Sequence, residues 1–384
     1  MIFGKGTEDR AGEESARLSK RALLHHSGGH AVKSGLIARI KASLKSAGVD
    51  WVELEGVQPN PRLALVREGI EIARREKLGM ALAVGGGSAI DSAKAIALGA
   101  ANDGDVWDFF ERKRTTEKAL PVGAVVTIPA AGSESSNSAV ITNEEGPWKR
   151  GCNLECNRPI FAILNPELTY TLPPFQTACG VVDMLAHIME RYFTKEPHVE
   201  LTDEMSEGAM RAILRNGRRV LSPGGENDYG ARAEIMWAAS LAHNNVFGAG
   251  RVGDWASHPM GHELSALYDT AHGAALSIIF PAWMRHVIAM KEDLPRLARF
   301  AEKVWGVDGA AFDPEQAALE GAFRMECLFR SIGMPTRFAD AGIDTARIGE
   351  MAERAVRLGP LGNYRKLDAP DVEAVYRIAS REER

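Results

Sequence analysis

Asp183 and His187 in VVDMLAHIME, with His258, His262 and His272 in SHPMGHELSALYDTAHG, place one carboxylate and four imidazoles at helical spacings. Residues four apart lie one turn apart on the same helix face, so Asp183 with His187, and His258 with His262, each aim two polar groups in one direction. Three imidazoles and a carboxylate make a mixed nitrogen and oxygen shell, which suits Zn²⁺ or Fe²⁺; Mg²⁺ and Ca²⁺ take shells of oxygen. One histidine is then left over for proton transfer. Asp183 and His187 also interrupt an apolar run of Val181, Val182, Met184, Leu185, Ala186, Ile188 and Met189. An unpartnered carboxylate there would cost roughly several kcal/mol on burial, and a cation removes that penalty. His25, His26, His198, His243 and His286 show no such pairing and read as structural.

The 384 residues are enough for two domains, each with its own core. The net charge of -5, with no Lys/Arg run of the kind that tracks phosphates, argues against nucleic acid and anionic membrane as partners and for a small molecule. No stretch approaches the roughly 20 apolar residues of a membrane span, and MIFGKGTEDR lacks the form of a signal peptide, so a cytoplasmic location is expected. Cys152, Cys156, Cys179 and Cys327 are few for a secreted scaffold, and no disulfide is expected. Cys152 and Cys156 lack the second Cys/His pair that a zinc ribbon or finger needs.

The elements that must position these residues fall into two textures. RALLHHS, VDWVELEG, LGMALAVGGG, GAVVTIPA and PIFAILNP are apolar, strand-like runs, the first three alternating with helical patterns. That alternation predicts a parallel α/β sheet over residues 1–166. From Leu168 onward the segments are long, rich in Ala, Leu, Met and Glu, and apolar at three-to-four spacing, predicting an all-helical domain over 167–384. Ser222 to Asp228 reads as a turn between helices.

Two polar turns sit at predicted strand ends, where open parallel sheets bind their ligands. Gly85, Gly86, Gly87 and Ser88 join a strand to an Ala-rich helix, and uncapped N–H groups at a helix start suit a diphosphate. The turn is neither a G-x-G-x-x-G fingerprint nor a P-loop. The second turn presents Thr127, Ser133, Ser136 and Asn137, and together the two accommodate a dinucleotide. The first strand ends in Ser27, Gly28, Gly29 and His30, where an acid often grips an unphosphorylated ribose. The missing acid and nearby Lys33 tilt the reading toward NADP over NAD.

GGGSAIDSAK, TIPAAGSE, GVVDMLAHIMERYF and SHPMGHELSALYDTAHGAALSI together resemble the iron-containing (group III) alcohol dehydrogenases, and within them the butanol dehydrogenase and NADPH-dependent aldehyde reductase branch. The resemblance spans nearly the whole chain. It implies a Rossmann-like dinucleotide-binding domain, an all-α metal-binding domain of the dehydroquinate synthase-like fold, and a cleft between them. By position it implies Asp183, His187, His258 and His272 as ligands of Fe²⁺ or Zn²⁺, and His262 as the catalytic histidine near the nicotinamide. Gly86, Gly87, Ser88 and Asp91 match the cofactor turn, Thr127 the second turn, Asn60 a contact near the adenosine half, and Lys149 a lysine that reaches the cofactor. Ala131 stands where many relatives carry Thr, and Asn165 replaces their aspartate. The implied activity is hydride transfer between NAD(P) and a primary alcohol or aldehyde, in a homodimer or larger homo-oligomer. Phe247, Trp255 and Trp283 are expected to shape the substrate cleft. The alternatives are a zinc- and NAD-dependent relative of dehydroquinate synthase or glycerol-1-phosphate dehydrogenase type, and a non-catalytic dinucleotide- or metal-binding protein. No Lys/Arg cluster surrounds the metal motif to hold a phosphorylated, acidic substrate.

Overall fold

A computed structural model of the chain describes residues 1–381, apart from the side chain of His30. The chain divides into two compact units, residues 1–172 with 226–244, and residues 173–225 with 245–384.

The first unit is built on a parallel sheet of six strands, β1 (Ile2–Phe3), β2 (Arg21–His26), β3 (Asp50–Leu54), β4 (Met80–Gly85), β5 (Val122–Val126) and β8 (Phe161–Leu164), in the order β1-β8-β5-β4-β2-β3. The inner strands β4, β5 and β8 are nearly continuous apolar runs because both faces are covered. Leu23, Ala81, Ala83, Ala124 and Val126 pack with Val66, Ile70 and Ile96 on one side, and Ala22, Leu24, Leu82, Val84 and Val125 with Ile37, Ile40 and Leu44 on the other. Residues alternate between the two layers along each strand, as the pleat requires.

Two features depart from the sequence reading. β6 (Ser138–Asn143) and β7 (Trp148–Asn153) form an antiparallel hairpin in a segment read as polar turn and cysteine motif. Ala139 and Ile141 of β6 and Cys152 of β7 point into the apolar core, with Trp148 of β7 half-buried against it, too short a pattern to stand out beside charged neighbours. The helix Tyr229–His243, expected among the helices of the second half, clusters instead with the sheet unit. Its Met236 joins the sheet core, and Trp237 meets the edge of Phe3 in β1 at 6.2 Å. Asp228 caps its first turn through the Ala231 N–H.

Asn165 is held from two sides. Its Oδ1 accepts from the Glu167 N–H at 3.0 Å while its Nδ2 donates to the buried carboxylate of Glu8 at 2.8 Å. An ionised aspartate could not donate and would set like charges together.

Among the described residues the second unit is helical, apart from a bridge between Leu361 and Leu367. Phe193, Phe280, Trp283, Phe300 and Tyr364 form its aromatic centre, with Phe193 5.1 Å from Trp283 and 5.2 Å from Phe300. This corrects the expectation for two cleft residues. Trp283 is fully buried in that centre and Phe247 is 3% exposed, so both are packing groups. Burying such large rings is worth more to the core than presenting them to a ligand.

Four elements carry most of the candidate residues. They are the helices Gly87–Ala100 in the first unit and Pro174–Tyr192, Ser257–Tyr268 and His272–Ala289 in the second. The first turn of His272–Ala289 lies directly on Pro174–Tyr192, because a side-chain carbon at Gly273 would collide with the backbone of Cys179, one turn before Asp183. Gly273→Ala is therefore expected to push His272 away from Asp183. Thermal unfolding should show a loss of about 1–3 kcal/mol, as overpacking does, and metal retained after purification should fall with it.

Candidate metal centre and cofactor turns

Asp183 and His187 project from the middle of Pro174–Tyr192, and both are buried. His258 sits in the first turn of Ser257–Tyr268, and His272 opens His272–Ala289. One ligand atom each from Asp183, His258 and His272 lies within 4.8 Å of the others. Asp183 Oδ1 is 4.0 Å from His258 Nε2 and 3.8 Å from His272 Nε2. These separations leave room for an ion among the three atoms.

His187 stands beside this group. Its ring centroid is 4.5 Å from that of His258, and its Nδ1 lies 3.1 Å from Asp183 Oδ1. Nδ1 also meets the Asp183 carbonyl oxygen at 2.9 Å. Donation there places the proton on Nδ1 and leaves Nε2 with its lone pair. His262, one turn after His258, is half-buried and its ring centroid is 5.3 Å from His272 and 6.5 Å from His258. It borders the cluster without joining the three-atom group.

The fit to a cation rests on Asp183. Its Oδ1 is buried and accepts no hydrogen bond. A buried carboxylate oxygen that faces imidazole nitrogens without a hydrogen bond lacks the positive partner that buried charge requires. Nitrogen-rich donors with one carboxylate match Fe²⁺ or Zn²⁺.

Glu190, which the sequence reading passed over, organises the site from behind. It is 1% exposed, and its Oε1 meets His258 Nδ1 at 2.9 Å and accepts the N–H groups of Ser257 and His258, each at 3.1 Å. Its Oε2 accepts the Trp255 N–H at 2.7 Å. One carboxylate thus caps the start of the His258 helix, favoured by the helix dipole, and holds the His258 proton on Nδ1 with Nε2 turned toward Asp183. Burial pushes the Glu190 carboxyl upward, against the pull of these amides and of His187. Asp254, also buried and also pushed upward, accepts the N–H groups of Asn363 and Tyr364 at 2.8 Å each. Glu190 gives no one-dimensional cue, because its backbone donors lie 65 to 68 residues further along the chain.

Trp255 is the expected cleft residue that does lie at the site. It adopts φ 61°, a left-handed backbone uncommon for a bulky residue. Its ring packs at 5.4 Å from His258 and 6.1 Å from His187, with the Arg191 guanidinium 4.6 Å from its centroid. A cavity of about 750 Å³ in the same unit passes Ala271 and Ala274 on either side of His272, yet none of the candidate ligands lines it.

In the first unit, β4 ends at Gly85 and the helix starts at Gly87, with Gly86 as an N-cap that has no side chain to satisfy the first amides. Gly86 is required by contact, since a Cβ would fall 2.9 Å from that of Ile128. The half-buried Gly87 and Ser88 complete the turn, and Thr127 N–H donates to the Gly85 carbonyl at 3.0 Å, joining the two turns. The Ala131 carbonyl accepts from His243 Nδ1 at 2.7 Å.

Asp91 and Ser136 face inward. Asp91 accepts from Ser133 Oγ at 2.5 Å and from the Val140 N–H at 3.0 Å. Lys94 is fully buried, and its Nζ donates to the carbonyls of Ser133 at 2.7 Å, Ser136 at 3.1 Å and Ser138 at 2.7 Å. Burial pushes the Lys94 ammonium down to about 8, while Asp91 and Glu134 oppose the shift. Ser136, 1% exposed, lies against this ammonium. Asp91 and Lys94 therefore shape the second turn from beneath. Asn60, at φ 55°, accepts from Lys149 Nζ at 2.8 Å, so these two sequence candidates meet across the hairpin. Gly28 has φ 72° and donates its N–H to His26 Nδ1 at 2.9 Å; Gly29 begins the short helix Gly29–Lys33. His25, buried between the Leu54 carbonyl and Ser92, is structural as read, and burial pushes its imidazole down to about 4.

With this geometry in hand, comparison with known proteins is specific. The family model for iron-containing alcohol dehydrogenase matches residues 1–166, and the model for the C-terminal part of the Fe-containing alcohol dehydrogenase family matches residues 177–380. The chain is 37% identical to NADH-dependent butanol dehydrogenase A of Clostridium acetobutylicum over 98% of its length and 96% of that protein. It is 34% identical to the NADPH-dependent aldehyde reductase YqhD of Escherichia coli over 92% of its length and 90% of that protein. The crystal structure of NADH-dependent butanol dehydrogenase A from Thermotoga maritima superposes with a TM-score of 0.94 at 38% identity, covering 99% of this chain and 96% of that one.

Two substitutions probe the cluster. Asp183→Ala is expected to yield folded protein without stoichiometric metal by elemental analysis; full occupancy would remove Asp183 from the ligand set. Glu190→Gln keeps the size of the side chain and removes its charge, and should weaken metal binding by roughly 10–100-fold in chelator competition, as loss of a partner behind a ligand does.

Proposed function

The chain belongs to the iron-containing alcohol dehydrogenase family, and from that premise we propose that Asp183, His187, His258 and His272 hold its divalent ion and that His262 handles the proton. The enzyme is a metal-dependent, NAD(P)-linked alcohol dehydrogenase or aldehyde reductase, an oxidoreductase acting on CH–OH groups. The observation that carries the site assignment is the buried Asp183 Oδ1, without a hydrogen bond, facing His258 and His272.

When bound, Fe²⁺ or Zn²⁺ supplies Lewis acidity toward the substrate oxygen and the nicotinamide supplies or accepts the hydride. The protein's own groups do the rest. Asp183 would offset part of the ion's charge, and Glu190 keeps His258 in the tautomer whose Nε2 is turned toward Asp183 and would be available to the ion. The Trp255 ring covers His187 and His258 and keeps water from that side. His262, beside His272 and half-buried, takes the hydroxyl proton on oxidation and returns one on reduction, a role worth about 10²–10⁴-fold in rate.

In the first unit, the amides of Gly86, Gly87 and Ser88 and the turn at Thr127 serve the diphosphate, Gly28 and Gly29 a ribose, and Asn60 and Lys149 the far side of the cofactor. Asp91 and Ser136 hold those turns in shape. Butanol dehydrogenases, an aldehyde reductase and 1,3-propanediol dehydrogenases among the relatives support short to medium primary alcohols and aldehydes as substrates. No helix among the described residues is long and apolar enough to cross a membrane. Four free cysteines support a cytoplasmic setting, and the family resemblance supports a homodimer or larger assembly.

The test is oxidation of NADH and NADPH with butanal, with and without chelator; chelator-insensitive turnover would remove the metal from the reaction. His262→Ala is expected to keep its metal and lose about 10²-fold or more in rate, with the pH dependence of kcat/KM altered. An unchanged pH profile would assign the proton to another group.

A further inference from the structure

The three strand ends nearest the glycine turn carry an acid that the sequence order conceals. β2 lies between β4 and β3 in the sheet, and the register pairs His26 with Val84 and His25 with Leu54. The turns after these strands, Gly85 to Ser88, Ser27 to Gly29, and Glu55 with Gly56, therefore open on the same edge, with neighbouring strands roughly 4.8 Å apart. Gly28 and Gly29 offer no side chain there. The nearest side chain comes from Glu55, whose Oε2 lies 3.2 Å from where a Cβ on Gly28 would stand. Glu55 is exposed, with its carboxylate laid against the glycine turn.

Glu53, two residues earlier, is used differently. It meets His26 Nε2 at 2.8 Å and accepts from Lys41 Nζ at 2.6 Å, and His26 Nδ1 in turn receives the Gly28 N–H. Glu53 thus shapes the turn through His26, whereas Glu55 meets it from the solvent side. Lys33, the positive group on this segment, is exposed at the far end of the helix Gly29–Lys33.

We propose that Glu55 sets the coenzyme choice, accepting hydrogen bonds from the vicinal hydroxyls of the adenosine ribose and so selecting NAD(H) over NADP(H). The inference rests on the dinucleotide reading of the glycine turn. A diphosphate at Gly86 to Ser88 places one of its riboses over the neighbouring end of β2, beside Glu55. Two free hydroxyls donate well to a carboxylate. A 2′-phosphate at the same place brings close to two negative charges against a third, and repulsion of this kind is an effective source of discrimination. The acid missing from the end of β2 is supplied by the turn after β3, which reverses the tilt toward NADP that the linear order produced.

The test measures binding without substrate, by fluorescence titration of the intact protein with NADH and with NADPH. Wild type should bind NADH more tightly by on the order of tenfold. Glu55→Gln, an exposed and nearly isosteric change, should erase most of that preference through tighter NADPH binding. Equal affinities in wild type, a preference for NADPH, or an unchanged ratio in Glu55→Gln would each refute the role of Glu55. Failure of wild type to bind either dinucleotide would refute the dinucleotide reading itself, independently of Glu55.

Discussion

Burial of the Asp183 carboxylate is the constraint on which the second unit depends. A charge as buried as that of Asp183 needs a counter-charge, and three separate elements converge to provide for one. Ser257–Tyr268 is brought in by Glu190, and His272–Ala289 by the absence of a side chain at Gly273. Pro174–Tyr192 carries both the acid and the residue that positions its histidine partner, so Asp183 and Glu190, seven residues apart, share one helix and close to one face. The left-handed Trp255 is the visible strain of this arrangement, held by the same Glu190 carboxylate.

The first unit solves a complementary problem. Glycine turns offer no side chains of their own, so the neighbouring second turn has to be held by other residues. Lys94 does so from below, collecting three carbonyls of the second turn on one buried ammonium while Asp91 ties the same helix to Ser133 and Val140. The GGGSAIDSAK segment therefore does two jobs: its glycines leave space and its Asp and Lys build the walls.

Much of this was legible in one dimension. The parallel strands announced themselves as apolar runs because both sheet faces are buried, and the pairs Asp183 with His187 and His258 with His262 because i, i+4 spacing survives translation into a helix. The β6–β7 hairpin did not, because it contributes few residues to the core, and the helix Tyr229–His243 was assigned to the wrong neighbours because amphipathic periodicity says that a face is buried without saying against what. Trp283 and Phe247 were read as cleft residues for the same reason: an aromatic side chain looks alike in sequence whether it lines a site or fills a core.

By itself the sequence determined the residue types available for chemistry, the two textures of the chain and the local pairs Asp183 with His187 and His258 with His262, all properties that act over a few residues. Tertiary structure alone decided which atoms meet: Glu190 behind His258, Lys94 beneath the second turn, Asn60 with Lys149 and Glu55 beside Gly28. Each of these contacts joins elements distant in the chain, and the distance between them is set by sheet register and helix packing, which no local pattern encodes.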